Sequence, residues 1–329
     1  MSELIVSSSP HSKDHRNVSA IMGYVLIALS PAAVGSVLYF KLQALLLILI
    51  SILSCVLFEF LYNMICKRKQ TIYDCSAIVT GVLLAFNLPS TAPLWLPPIG
   101  ALFAIVVVKM LFGGLGRNVF NPAIAGRILL FISFPQFMTG CWVAPFDSVS
   151  AATPLAYLKN SSGELVTITS KFTVGDCLLG NVGGCLGETS AALLLLGGIF
   201  LLYKKVITWH IPVSFIGTVA IVTLLLPRYN DISAIQYMLY HIFSGGLFLG
   251  AFFMATDYAT SPITPVGRII YGIGCGLITV FIRYFGGYPE GVSFAILLMN
   301  CFANYLDKKT IPVQFGGERR VIWKTKSKD

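Results

Sequence analysis

The chain has 329 residues, of which 56% are hydrophobic and 11% charged, with a mean hydropathy of +0.80. A soluble domain carries about 25% charged residues, so a water-soluble enzyme or binding module is excluded and a polytopic helical membrane protein is expected. The net charge of +9 does not point to nucleic acid, because the basic residues gather in short loops and tails, where membrane topology puts them.

A polar tail over residues 1–18 comes first, and the apolar run behind it is too long for the core of a cleavable signal peptide. Ten apolar segments follow, at 19–40, 42–65, 74–88, 94–112, 119–136, 190–203, 207–226, 235–255, 265–283 and 291–306. The third, fifth and tenth are short for a full crossing. They read as tilted or broken helices, which a membrane tolerates where neighbouring protein satisfies the backbone. The fold expected is therefore all-α, with about ten transmembrane helices.

Lys13, Arg16, Lys67, Arg68, Lys69, Arg117, Lys204, Lys205 and the basic tail at 307–329 fall on one side of this alternation. Only Lys41, Lys159, Lys171 and Arg228 fall on the other. The positive-inside rule then places both termini in the cytoplasm and the long loop 137–189 outside the cell membrane. Residues 19–136 and 190–306 form two membrane units.

Those units carry an internal repeat. From Gly81 and again from Gly250, a glycine-led apolar segment ends in a proline-containing polar turn. A second helix follows, with Lys109 or Arg283 near its end, and then FGG, at Phe112–Gly114 and Phe285–Gly287. An odd number of crossings separates the units, so a five-plus-five inverted repeat is expected, with a polar site near its interface.

Polar groups in such helices are candidates for function. Asn118 and Asn121, in GRNVFNPAIAGR, are spaced to face one side of a helix, and their amides suit a neutral heteroaromatic ring. The bland alternative is that Asn121 caps a helix begun by Pro122. Arg127 lies further along the same helix, ready for an anion or a buried carbonyl. The loop GDCLLGNVGGCLGETSA offers Gly183, Gly184 and Glu188 before a helix start, as a phosphate cradle or as plain helix-start residues. Cys177 and Cys185 share that loop and are a possible disulfide if it faces an oxidising compartment. The four histidines are scattered, so no metal site or hydrolytic constellation emerges. The segment DSVSAATPLAYL reads as a small-residue polar loop. On the residues alone, a solute transporter or channel is the first reading.

Several strings, in order, change that reading: LPSTAPLW, FGGLGRNVFNPAIAGR, D-x-x-S-x-A-T-P-L, GNVGGCLGETS, FMATDYATSP and RYFGGYPEGVSFAILLMN. Together they resemble the D subunit of the Rnf complex and its homologue, the B subunit of the Na+-translocating NADH:quinone oxidoreductase. The short N-terminus is closer to the Rnf protein. The resemblance implies an electron-transferring flavoprotein subunit of a redox-driven pump coupling ferredoxin and NAD+ to Na+ or H+ movement. It implies covalent FMN esterified through its phosphate to Thr153, with Asp147, Ser150 and Ala152 completing the motif. The hydroxyl would attack the pyrophosphate of FAD and release AMP, with a flavin transferase as catalyst. It further implies non-covalent riboflavin near Asn118 and Asn121, with Arg127, Gly183, Gly184 and Glu188 as weaker cofactor candidates. Implied partners within the Rnf complex are the A and E membrane proteins, the G flavoprotein, and the soluble B and C proteins, together with membrane lipid. No dinucleotide fingerprint is present, so the NAD and ferredoxin sites are expected on other chains.

Overall fold

The computed structural model describes residues 17–139, 142, 153–160, 172–188, 190–228 and 232–312. The two tails and most of the loop carrying Asp147, Ser150 and Ala152 lie outside the described residues. Among the described residues the regular structure is helical, joined by turns, apart from one isolated bridge between Pro89 and Cys185.

Helix α1 spans Val18–Ile65 but is interrupted at Lys41, where φ is 56° and ψ is −138°. Ser19 Oγ donates to Tyr73 O at 3.0 Å, and Asn63 Nδ2 donates to Thr71 Oγ1 at 3.1 Å. An unbroken helix would hold residues 19 and 63 about 66 Å apart at 1.5 Å per residue. The two arms therefore fold back on one another at Lys41, which separates the first two apolar segments where the sequence places the break.

Next come α2 (Ser76–Phe86), α3 (Leu96–Met110), α4 (Pro122–Ser133) and α5 (Pro135–Thr139). Two short helices, α6 (Pro154–Asn160) and α7 (Val174–Leu179), precede α8 (Ala191–Tyr203) and α9 (His210–Leu225). The eighth apolar segment is broken into α10 (Ala234–Phe243) and α11 (Leu247–Met254), bent by 60°. The break falls at Gly245 and Gly246, both at positive φ. Finally α12 (Pro265–Phe285) and α13 (Val292–Thr310) complete the bundle.

Each expected apolar segment contains a helix, yet among the described residues only α1, α12 and the bent α10–α11 pair are sufficient by length and composition to cross a membrane. The others of 10–17 residues fall short of the ~20 that a crossing needs. The tenth segment differs from expectation in the other direction, running 19 residues. The two FGG sequences also diverge locally: Gly113 and Gly114 adopt φ of 116° and 95°, whereas Gly286 has φ of −72°.

The bundle has two polar ends. One gathers residues 71–76, 109–121, 206–208, 254–268 and 307–310, joined by bonds such as Arg268 Nη1 to Thr208 Oγ1 at 3.1 Å and Ile263 N to Asp307 Oδ1 at 2.9 Å. The other gathers residues 86–95, 153–159, 172–188 and 284–293 around the Lys41 bend, where Tyr39 Oη donates to Leu179 O at 2.9 Å. Between the ends lies one apolar core that includes Leu84, Phe86, Ile124, Leu249 and Tyr271. A satellite cluster of Leu155, Leu158, Cys177, Val182 and Tyr237 holds α6 and α7 against α10.

Candidate functional site

At the first polar end, α4 begins at Asn121. Its Oδ1 accepts from Ala123 N at 3.0 Å and Ile124 N at 3.4 Å, with Pro122 at the first helical position. This is an N-cap, and the missing proline N–H costs the helix nothing there. Asn121 Nδ2 donates across the bundle to Met254 O at 3.2 Å. Asn118 lies ahead of the helix rather than on it, so the expected shared helical face does not exist. The two amides meet instead at the wall of one cavity with about 750 Å³ of empty space.

The wall is mainly apolar, with Phe252 and Phe253 from the widened π-helical stretch Gly250–Met254. Its charged members are Lys109 and Asp257. Lys109 sits in a second widened stretch, Phe103–Met110. Its Nζ donates to Glu59 Oε2 at 2.7 Å and to Ser76 Oγ at 2.6 Å, and Thr71 Oγ1 donates to Glu59 Oε1 at 2.5 Å. Asn118 Nδ2 donates to Phe120 O at 3.0 Å, and its side chain also bonds Asp257. Asn118 Oδ1 is buried with no hydrogen-bond partner. An unpaired buried acceptor costs about 1–3 kcal/mol, and a ligand N–H would relieve it.

Arg127 is not part of this cavity. Its guanidinium reaches the opposite end, where it bonds Asn87 Oδ1 at 2.8 Å, Ser293 Oγ at 2.9 Å and the Glu290 carboxylate. Glu188 lies 3.6 Å away from it. Both kinds of partner named for Arg127 are present within the protein: the buried Asn87 amide carbonyl and the Glu290 carboxylate, with Glu188 beside them. Cys185 Sγ is 3.7 Å from the guanidinium and 3.4 Å from Asn87 O. Cys185, Glu188 and Glu290 offer ligand atoms within 4.8 Å of one another, but Arg127 already serves them as a cation. Burial first, and then the neighbouring Glu290, push the Glu188 carboxyl up to about 8.

The glycine loop packs against the first half of the chain. Leu186 N donates to Leu88 O at 3.0 Å and Gly187 N to Phe86 O at 2.9 Å, so these amides are spent on the segment after α2. A Cβ on Gly187 would run into the Phe86 side chain, which explains the glycine. Gly183 and Gly184 are buried, and Gly184 packs beside Glu188. Ser190 caps α8 by accepting from Leu193 N at 3.3 Å. Cys177 and Cys185 are both buried free thiols and form no disulfide.

Thr153 is 5% exposed and heads α6, its Oγ1 accepting from Ala156 N at 3.2 Å. Thr-Pro is thus a helix start rather than the loop expected. Leu155 and Leu158 pack into the satellite cluster, and Lys159 ties α6 to Gly286 O and Tyr288 O. Sequence reasoning missed the Glu59–Lys109 pairing and the role of Glu290. The second had a signal, as the carboxylate of the YPEG string.

Residues 5–316 match the NQR2, RnfD, RnfE family. The chain is 48% identical over 309 residues to the D subunit of the Na+-translocating ferredoxin:NAD+ oxidoreductase complex of Acetobacterium woodii, covering 93% of each protein. It is 44% identical over 321 residues to the proton-translocating counterpart of Clostridium ljungdahlii, covering 95% of this chain and 96% of that one. The D subunit of an ion-translocating oxidoreductase complex of Halorhodospira halophila is 36% identical over 353 residues, with 97% of both covered.

Proposed function

The chain belongs to the NQR2, RnfD, RnfE family, and on that premise we propose that it is the electron-carrying D subunit of a membrane-bound ferredoxin:NAD+ oxidoreductase. Its partners are the other subunits of that complex, and the ion moved is Na+ or H+, since relatives named for each are similar to it. The reading extends to two flavins, riboflavin in the Asn118 cavity and FMN attached to Thr153. It also extends to a five-plus-five inverted repeat with both termini and the Asn118 end in the cytoplasm, and Thr153 at the outer end.

The observation that carries the riboflavin assignment is Asn118 Oδ1, a buried acceptor with no partner on a residue that lines a mainly apolar cavity. A flavin supplies one- and two-electron carriage at a potential that hydrogen bonds and burial tune. This chain's residues would do the holding. Asn118 would accept from a ring N–H. Asn121, fixed by its capping bonds and by Met254 O, would shape the wall. Phe252 and Phe253 would exclude water from the ring faces. Lys109, held by Glu59 and Ser76, would place a fixed positive charge beside the ring, where added electron density is stabilised.

For Thr153, support comes from its position in the S-x-A-T-P string at the N-terminus of α6. The attachment step needs the hydroxyl in a transferase cleft, so α6 must be undocked while it occurs. The test is in-gel fluorescence of the denatured protein co-expressed with a flavin transferase. A fluorescent band lost in Thr153→Ala is the expected result; no band in the wild type would reject covalent FMN.

A further inference from the structure

The cavity walled by Asn118 and Asn121 has one basic and one acidic lining residue, Lys109 and Asp257. The two are not partners. Lys109 Nζ donates to Glu59 Oε2 at 2.7 Å, and the side chains of that pair are 3% and 0% exposed. The ion pairs among the described residues are Lys109 with Glu59 and Arg127 with Glu188 and Glu290, so none includes Asp257. Arg117 and Arg268 belong to the same end of the bundle but do not line the cavity. The wall thus holds one cation already matched by a carboxylate and one carboxylate matched by no cation.

Asp257 lies in the turn between α11 and α12, and neutral groups hold its carboxylate. Thr260 Oγ1 donates to Oδ2 at 3.1 Å, and the backbone N–H groups of Ala259 and Tyr258 and the Asn118 side chain bond it as well. Burial pushes this carboxyl up, and the four donors work against that shift by favouring the charged form. Such donors spread a negative charge without cancelling it. They also tie the lone carboxylate to Asn118, whose Oδ1 is the orphan acceptor of the site.

This arrangement discriminates between ligands. An orphan amide oxygen and a carboxylate both call for N–H or O–H donors, and neither accommodates an anion. A phosphate monoester carries about −1.5 to −2 at pH 7, and like charges repel strongly between apolar walls. Lys109 gives no relief, because drawing it to a phosphate would leave the buried Glu59 carboxylate unpaired. Riboflavin and FMN share a ring and a hydroxylated chain and differ in the terminal phosphate alone. A single uncompensated charge in the wall is therefore enough to tell them apart, by penalising the wrong ligand rather than by adding a contact to the right one.

We propose that Asp257 is the specificity-determining residue of this cavity, admitting the uncharged flavin and turning away the phosphorylated one. The proposal rests on the riboflavin reading of the same cavity. Asp257 acts through its charge and not as a participant in electron transfer. The turn that carries it does not depend on that charge, since a neutral amide oxygen at the same position accepts the Thr260, Tyr258 and Ala259 bonds equally well.

The test uses the full-length chain in detergent, made without a flavin transferase so that Thr153 stays unmodified. Isotope-labelled riboflavin is bound, and unlabelled riboflavin and FMN are compared as displacing ligands. The wild type should prefer riboflavin over FMN by about tenfold or more. In Asp257→Asn that ratio should fall towards one, chiefly through tighter binding of FMN, and in Asp257→Glu, which keeps the charge, the preference should persist. A structural role for Asp257 would instead weaken both ligands alike and leave the ratio where it was. Equal binding of the two flavins by the wild type, a comparison that needs no variant, overturns the proposal and leaves the riboflavin reading standing. So does a ratio that Asp257→Asn does not move. A wild-type chain that binds neither flavin overturns both.

Discussion

Asn118→Leu separates a ligand-binding role from a structural one. In the protein without ligand, the substitution removes an orphan Oδ1, relieving about 1–3 kcal/mol. It also removes the Nδ2 bond to Phe120 O and a bond to Asp257, which costs a similar amount. The two nearly cancel, so stability without riboflavin should change by less than about 2 kcal/mol. Binding has no such cancellation. The ligand N–H that met Oδ1 would face an apolar side chain, losing about 1–3 kcal/mol, which is about 5- to 150-fold in affinity. Acid extraction releases non-covalent riboflavin for fluorescence, while covalent FMN stays with the precipitated chain and appears as a gel band. The expected result is a depleted extract with an undiminished band. A full complement of riboflavin in Asn118→Leu, or parallel loss of both flavins, would refute the reasoning.

Asn121→Ala should behave differently: it loses a helix cap worth about 0.5–2 kcal/mol, lowering the unfolding midpoint as well as riboflavin content. Arg127→Met leaves the part-buried Glu290 carboxylate without its cation and should destabilise the protein by about 3–5 kcal/mol; a Glu188→Gln/Glu290→Gln background should recover most of that in denaturant unfolding. Glu188→Gln alone tests the buried carboxyl. Its folded-state value is raised from 4.5 to about 8, so its contribution is fully present below about pH 4.5 and is lost as pH rises through about 8. The glutamine variant should flatten that part of the stability–pH profile, and an unaltered slope between pH 5 and about 8.5 would contradict the assignment.

The break at residue 41, where Lys41 parts two apolar runs, and the helical character of the apolar segments were legible, because hydropathy is a local property of a chain; the way Asn118 and Asn121 meet was not, since their spacing pointed to a shared helical face. Helix length was less so. Apolar residues continue past α2 and α4 into turns that are buried by other protein, so hydropathy overstates the helical run. The helical start at Thr153 was hidden because its capping bond to Ala156 N depends on a short helix with little amphipathic signal. The glycine loop was ambiguous for a different reason. Glycine permits both an anion cradle and close backbone packing, and at Gly187 the approach to Phe86 shows the packing. Arg127 found carboxylates more than fifty residues away in sequence, a pairing no spacing rule supplies.

The contact of residues 185–188 with 86–89 has a mechanical consequence. Two backbone bonds, the Ser36 Oγ bond to Leu186 O at 2.6 Å and the Arg127–Glu290 pair fasten early and late parts of the chain at one level of the bundle. Asn121 and Met254 add a stitch near the other end. A rocking motion of one half against the other would have to open these bonds together, in surroundings where no water replaces them. The molecule is built as a clamp rather than a hinge. Small displacements of side chains within this frame cost less than a movement of one half against the other.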